Sequence, residues 1–166
     1  MSSPSDAEHR SAASVCQQML TFTLGNEVYG VDILSVQEIR GWSAVTKIPH
    51  SPPDVLGVLH LRGTVLPIVD LRLRFQLGRA EYNAMTVIIV LTMESDRGLV
   101  EVGVVVDSVK EVVDVDASRL RPAPDFGARQ ATEYVSGLLP SGDHMVVLLN
   151  VERLIGAGIS EAARAA

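Results

Sequence analysis

The ten-residue stretch GVDILSVQEI, at positions 30–39, decides the fold, because a close copy, GVVVDSVKEV, stands at positions 103–112. The two copies align without a gap, and the glycine, the first valine, the serine, the second valine and the glutamate match. Segments 57–70 and 137–150 align in the same way. The separations of 73 and 80 residues are about half of the 166-residue chain, so the pattern predicts an internal duplication. Chance similarity among valine-rich strands is the alternative.

Each half of the chain has the pattern of short strands joined by tight turns. Valine occurs 24 times, and β-branched side chains suit a pleated strand. Gly25-Asn26 and Arg62-Gly63 are two-residue hairpin signals between apolar runs. Pro67 lacks an N–H for the ladder, so its strand is expected at a sheet edge or a bulge. The sequence therefore predicts a mostly β fold of two small barrels related by duplication, with short helices capped by Asp70 and Asn150.

The domain organisation follows from where this pattern begins and ends. Residues 1–15 are polar and without period, which predicts a disordered arm, and residues 158–166 predict a flexible tail. One ordered domain is expected over residues 16–157. Its two barrels would cover about 18–83 and 84–156, and the sequence leaves open whether they exchange strands.

Composition excludes several classes of function. A net charge of −6 without a basic stripe argues against nucleic-acid binding, and no apolar run is long enough for membrane insertion. The single cysteine, Cys16, fits a reducing cytoplasm. No nucleophile–base motif, phosphate loop or metal-ligand spacing occurs, so we expect no catalytic residues, no metal and no cofactor. Together with the short strands and the internal repeat, these absences favour a binding module.

Several segments resemble the CheW-like coupling proteins of bacterial chemotaxis. The resemblance covers about residues 18–156 and is most specific in two blocks, VQEIRG at 36–41 and LRGTVLPIVDLR at 61–72. It implies two SH3-like five-stranded β-barrels and an adaptor without enzymatic activity. It also implies two partners, the methyl-accepting chemotaxis receptors and the regulatory domain of the histidine kinase CheA. The expected location is cytoplasmic, at receptor arrays on the inner face of the membrane.

The resemblance also implies site residues. A groove between the barrels would bind the helical receptor tip. Valines would line this groove, glycines would let the helix approach, and a charged pair beside a hairpin turn would flank it. An aromatic residue on a proline-rich loop would contact the kinase. The receptor-binding set is Val36, Glu38, Gly57, Arg62, Gly63, Gly103, Val109 and Val112, and the kinase-binding set is Asp125 and Phe126.

Three alternatives stay open from the sequence. The chain could serve a paralogous sensory array other than the flagellar one. It could be an enzyme or a small-ligand-binding β-barrel protein with its site in the groove between the barrels, which a closed pocket with convergent polar groups would favour. It could also be a fragment of the kinase regulatory region.

Overall fold

The computed structural model describes residues 17–78, 81–96, 98–122 and 133–156. This part of the chain consists mostly of strands, with two short α-helices. The elements are β1 (Gln17–Leu24), β2 (Glu27–Asp32), β3 (Val36–Gly41), β4 (Val55–Leu61), β5 (Thr64–Asp70), α1 (Leu71–Arg74), β6 (Val87–Ser95), β7 (Gly98–Val106), β8 (Ser108–Val115), β9 (Val135–Ser141), β10 (His144–Leu149) and α2 (Val151–Gly156).

The ten strands form two five-stranded sheets with the same internal order. Sheet A runs β8-β1-β2-β10-β9, and sheet B runs β3-β6-β7-β5-β4. The sequence duplication makes β6 to β10 the counterparts of β1 to β5. Replacing every strand of sheet A by its counterpart reproduces the order of sheet B. The topology therefore confirms the internal duplication and the mostly β fold of two five-stranded units.

The two sheets do not follow the two halves of the chain. Sheet B is built from consecutive strands, β3 to β7, whereas sheet A combines β1 and β2 with β8, β9 and β10. Each half, 18–83 and 84–156, thus supplies strands to both sheets, which is the exchange that the sequence left open. The chain passes between sheets through the 3-10 turn Ile33–Ser35 and through the single residue Asp107.

Of the two positions expected for Pro67, the sheet edge is wrong, whereas a register shift in the β4–β5 pairing lies beside it, between Val55 and Gly57. Its strand, β5, lies inside sheet B, between β7 and β4. The parallel pairing of β5 with β7 covers only Ile68, Val69 and Asp70, so Pro67 stands just before the paired stretch. On the other side Pro67 is opposite Val58 of β4. An interior strand tolerates the missing N–H here because the ladder with β7 begins one residue later.

Each sheet curls until its two outer strands approach, and the same device closes both. Thr46, just after β3, forms a backbone bridge with Val58 of β4, the opposite edge of sheet B. Arg121, after β8, forms the corresponding bridge with Leu138 of β9 in sheet A. We call the two closed units barrel A and barrel B.

A glycine makes room for each closing bridge. A Cβ on Gly57 would lie 2.1 Å from the carbonyl oxygen of Thr46, and the φ of Gly57 is +150°. Its counterpart in barrel A, Gly137, faces the carbonyl oxygen of Arg121, at 3.2 Å from where a Cβ would stand. Both positions let two backbones approach more closely than a side chain would permit.

The apolar core has three parts. One cluster fills barrel A around Met19 and Leu148, and another fills barrel B around Ile68 and Ile88. The largest cluster lies between the barrels and takes residues from both sheets. Its members include Phe22, Leu24, Val31, Val69, Ile89, Leu91, Val104, Leu149 and Leu154. Because side chains alternate along a strand, the same strand serves its own barrel with one face and the shared core with the other.

Replacing the closing glycines tests this barrel geometry. Gly57→Ala should lower the free energy of unfolding by about 3 kcal/mol, because the new Cβ meets a backbone oxygen and φ is unfavourable. Gly137→Ala should cost less, about 1 kcal/mol. Gly41→Ala, with nothing within 4 Å of its Cβ, is the matched control. Urea denaturation measures all three, and equal losses at positions 57 and 41 would contradict the geometry.

Candidate binding site

A charged pair marks the rim of barrel B. Arg62, in the β4–β5 turn, donates a hydrogen bond from Nη2 to Glu38 Oε2 of β3 at 3.1 Å. Arg40 Nη1 lies 3.9 Å from the same oxygen. Since β3 and β4 are the opposite outer strands of sheet B, this pair spans the closure of the barrel. The structure thus brings together two of the residues proposed to bind the receptor.

The turn that carries Arg62 has an uncommon backbone. Arg62 and Gly63 both have positive φ, 53° and 79°, which is the geometry of a type I′ hairpin turn. The counterpart of Arg62 in barrel A is Gly142, with φ of 57°. Glycine adopts this conformation without cost, whereas arginine does not. Barrel B thus keeps a long cationic side chain at a place where the duplicate has none.

The three valines of the expected groove lie on the strands that begin just after the chain changes sheet. Val36 on β3 and Val109 on β8 are counterparts, and both are half-buried against the core shared by the barrels. Val112 on β8 is 46% exposed. Its counterpart on β3, Ile39, is also 46% exposed and was not named from the sequence. The repeat register is the signal that could have found it.

The two glycines of the receptor-binding set both have a packing role within the chain. Gly57 is buried and faces Thr46 of its own barrel. Gly103 is also buried, and a Cβ there would lie 2.5 Å from Ile68 Cδ1 and 3.0 Å from Ile88 Cγ2, inside barrel B. Their place in a receptor surface stays a prediction. Their lack of a side chain is explained by packing within the chain.

The proposed kinase-binding residues, Asp125 and Phe126, lie outside the residues that the structure describes. Their role stays a prediction from the resemblance. Arg121 and Pro122 are the last described residues before that segment, and Arg121 closes barrel A.

A second ion pair, missed from the sequence, is buried between α1 and the start of β4. Arg74 Nη1 lies 2.6 Å from Asp54 Oδ2, and both side chains are nearly buried, at 12% and 13% exposure. The Arg74 guanidinium also stands 5.4 Å from the centre of the Tyr134 ring. No local pattern joins residues 20 positions apart, so this pair could be found only from the fold.

The shifted ionisable groups keep their ordinary charge at neutral pH. Burial, with a smaller contribution from Glu27, raises the pKa of Tyr29, which stays neutral. Burial acts to lower the pKa of Arg74, but hydrogen bonds to Asp54 and Tyr134 raise it more, so it stays charged. Hydrogen bonds from the backbone and side chain of Ser118 lower the pKa of Asp116, which stays ionised. None of these three is placed to exchange a proton near pH 7.

The described residues contain one open cleft that bears on the ligand-binding alternative. It lies at one end of barrel A, has a volume of about 260 Å³ and opens to solvent. The described ranges contain no group of three or more His, Cys, Asp or Glu side chains that could hold a metal ion. No described helix has the length and hydropathy needed to span a bilayer.

Comparison with known proteins gives the family. The model of the CheW-like domain matches residues 18–158. The chemotaxis protein CheW of Klebsiella aerogenes is 46% identical over 144 residues, which are 87% of this chain and 84% of that protein. The probable chemotaxis protein CheW of Rhizobium etli is 36% identical over 147 residues, which are 89% and 92% of the two chains.

A solved structure agrees in fold. The scaffolding protein TtCheW of Thermoanaerobacter tengcongensis superposes with a TM-score of 0.74 at 29% identity, covering 82% of this chain and 85% of that one. The two duplicated barrels are thus those of a chemotaxis scaffold module. The chain belongs to the CheW-like family, as the motifs at 36–41 and 61–72 indicate.

The Glu38–Arg62 and Asp54–Arg74 ion pairs should differ in their contribution to stability. Arg62→Gly should change the free energy of unfolding by less than about 1 kcal/mol, because Arg62 is 69% exposed and glycine suits its φ. Arg74→Gln should cost about 3 kcal/mol, because it leaves the Asp54 carboxylate buried without its partner. Denaturant titration of both variants measures the difference, and a large loss for Arg62→Gly would contradict it.

Proposed function

We propose that this protein is a non-catalytic adaptor that couples methyl-accepting chemotaxis receptors to the histidine kinase CheA. The observation that carries the proposal is membership of the CheW-like family over residues 18–158. The proposal places the protein in the cytoplasm, recruited to the inner face of the membrane where receptors gather. It requires two separate binding surfaces on one chain.

The proposed receptor surface combines the exposed parts of β3 and β8 with the rim of barrel B. Val36 and Val109 present half-buried apolar side chains beside the shared core, and Val112 is more exposed. Exposed apolar side chains of this kind suit the apolar face of a helix. The Glu38–Arg62 pair at the rim would orient the receptor tip, since exposed ion pairs contribute more to specificity than to stability.

A substitution of Arg62 is the best single test of the receptor surface. Arg62→Ala should weaken binding of a receptor signalling fragment about tenfold, because a well-placed arginine often dominates an interface. Arg153→Ala removes the same charge from α2 and is the matched control. Isothermal titration with the purified fragment gives both affinities, and circular dichroism checks the fold. Equal affinity of the Arg62→Ala and Arg153→Ala variants would place the receptor surface elsewhere.

Variants at Gly57 are unsuitable for that test. Any Cβ at position 57 collides with the carbonyl oxygen of Thr46, so a loss of binding could reflect a damaged barrel. Arg62 is at an exposed turn, and its replacement leaves the barrel closure made by Thr46 and Val58 intact.

The proposed kinase surface depends on Phe126, with Asp125 beside it. Phe126→Ala should weaken binding of the kinase regulatory domain about thirtyfold, since aromatic anchors of this kind contribute roughly 2 kcal/mol or more. Binding of the receptor fragment should stay unchanged. Titrating the same variant with each partner in turn measures both, and Arg62→Ala supplies the opposite pattern. Loss of both partners in Phe126→Ala would instead indicate misfolding and would remove support for a separate kinase surface.

The small-ligand alternative receives no support from the cleft in barrel A, which is open and smaller than most small-molecule sites. Coupling in a flagellar array and coupling in a paralogous one are distinguished by which receptor fragment binds. Failure to bind any receptor fragment or kinase regulatory domain in a pull-down would end the adaptor proposal.

A further inference from the structure

The two barrels differ at one end, although the duplication makes them counterparts. In barrel B this end is covered by Tyr82, which precedes β6. Its ring stacks on Trp42 after β3, with ring centres 4.2 Å apart. Its hydroxyl donates a hydrogen bond to Asp70 Oδ2 at the end of β5, at 2.5 Å. Because β3 and β5 are separated by two strands in sheet B, the side chain reaches across the end of the barrel.

The corresponding end of barrel A is the open cleft of about 260 Å³, which we call the barrel-A cleft. Its wall includes Asn150, the counterpart of Asp70, and Met19, which occupies in β1 the place that Ile88 occupies in β6. The cleft therefore lies where Tyr82 lies in barrel B. The segment before β1 has alanine, Ala13, at the position that corresponds to Tyr82. No aromatic side chain of the described residues lines this cleft.

The wall of the cleft is also more acidic than its counterpart. Asp32 stands where barrel B has Val105, and Glu152 stands where barrel B has Arg72. Asp32 Oδ1 accepts a hydrogen bond from the Leu34 N–H at 3.0 Å. The Glu152 carboxylate has no hydrogen bond or ion pair with any residue that the structure describes. Two carboxylates thus face one opening without a described cation paired to either.

We propose that the barrel-A cleft docks an arginine side chain presented by a partner protein, which covers this end as Tyr82 covers the end of barrel B. The apolar floor formed by Met19, Leu149 and Val151 suits the methylene stem of arginine. The guanidinium is planar, always charged and rich in donors, and it matches carboxylates that come from two different elements. This surface is separate from the rim that carries Arg62.

The volume of the cleft supports a protein side chain over a free small molecule. Small-molecule sites usually measure roughly 300–1,000 Å³ and enclose most of their ligand. A cleft of about 260 Å³ that opens to solvent holds one side chain and leaves the backbone of its donor outside. The flanking residues of the partner would then rest on the surrounding surface.

The test uses the full chain and a capped peptide, acetyl-Leu-Arg-Leu-amide, with its neutral citrulline analogue as the matched probe. In ¹H–¹⁵N spectra the arginine peptide should cause saturable shifts of the Asp32, Ser35 and Ser136 amides, with a Kd on the order of 1 mM. The citrulline peptide should bind at least about fivefold more weakly, because it lacks the charge. Equal shifts with the two peptides, or no shifts at these amides, would overturn the proposal.

Substitutions locate the effect. Asp32→Asn and Glu152→Gln should each weaken binding of the arginine peptide about fivefold. The amide oxygen introduced by Asp32→Asn still accepts the hydrogen bond from the Leu34 N–H. Glu94→Gln, at an exposed position of β6, is the control and should change nothing. A third variant, Arg10→Gln, removes the one Lys or Arg before Gln17. If the peptide binds only when Arg10 is replaced, the occupant is the chain's own N-terminal segment, and docking of a partner is refuted.

Discussion

The apolar core between the two sheets is the constraint on which the rest of the structure depends. It takes Phe22 and Val31 from sheet A and Ile89 and Val104 from sheet B. An aromatic run from Phe22 through Tyr29 and Phe75 to Tyr134 follows the same interface, with ring centres 5.7–6.1 Å apart. Burying one such side chain stabilises the fold by roughly 1.5–3 kcal/mol, so separating the barrels would be costly. The surfaces on the two barrels are thereby held at a fixed geometry, which the proposed adaptor with two partners requires.

Local features of the fold follow from the sequence because they depend on neighbouring residues. The β2 strand, the Arg62-Gly63 turn and the helix cap of Asp70, whose Oδ1 accepts from the Arg72 N–H at 2.9 Å, match their patterns. The strand exchange does not follow in this way. It depends on parallel pairs such as Gly30 with Leu148, far apart in sequence, and no local signal specifies such a partner. The edge position expected for Pro67 was wrong for the same reason, since it needed the strand order.

Part of the candidate site could likewise be predicted from the sequence, and part could not. The Glu38–Arg62 pair could be proposed from family motifs, and the structure places the two side chains in contact. The contact of Gly57 and Gly103 with a partner's helix stays a prediction, because a glycine in a motif looks alike whether it faces a ligand or its own chain. The positions of Thr46 and Ile68 show that both glycines face their own chain, which the sequence did not indicate. The differences between duplicates, such as Arg62 against Gly142 and Arg72 against Glu152, become informative once the fold defines equivalent places.

Native-state hydrogen exchange tests most directly whether the shared core makes the two barrels one body. If it does, the most protected amides of sheet A, around Phe22, and of sheet B, around Ile89, should open with the same free energy and with the same dependence on denaturant. Sheet B consists of consecutive strands and could persist alone. Protection retained at Ile89 under conditions that open Phe22 would contradict a single cooperative scaffold.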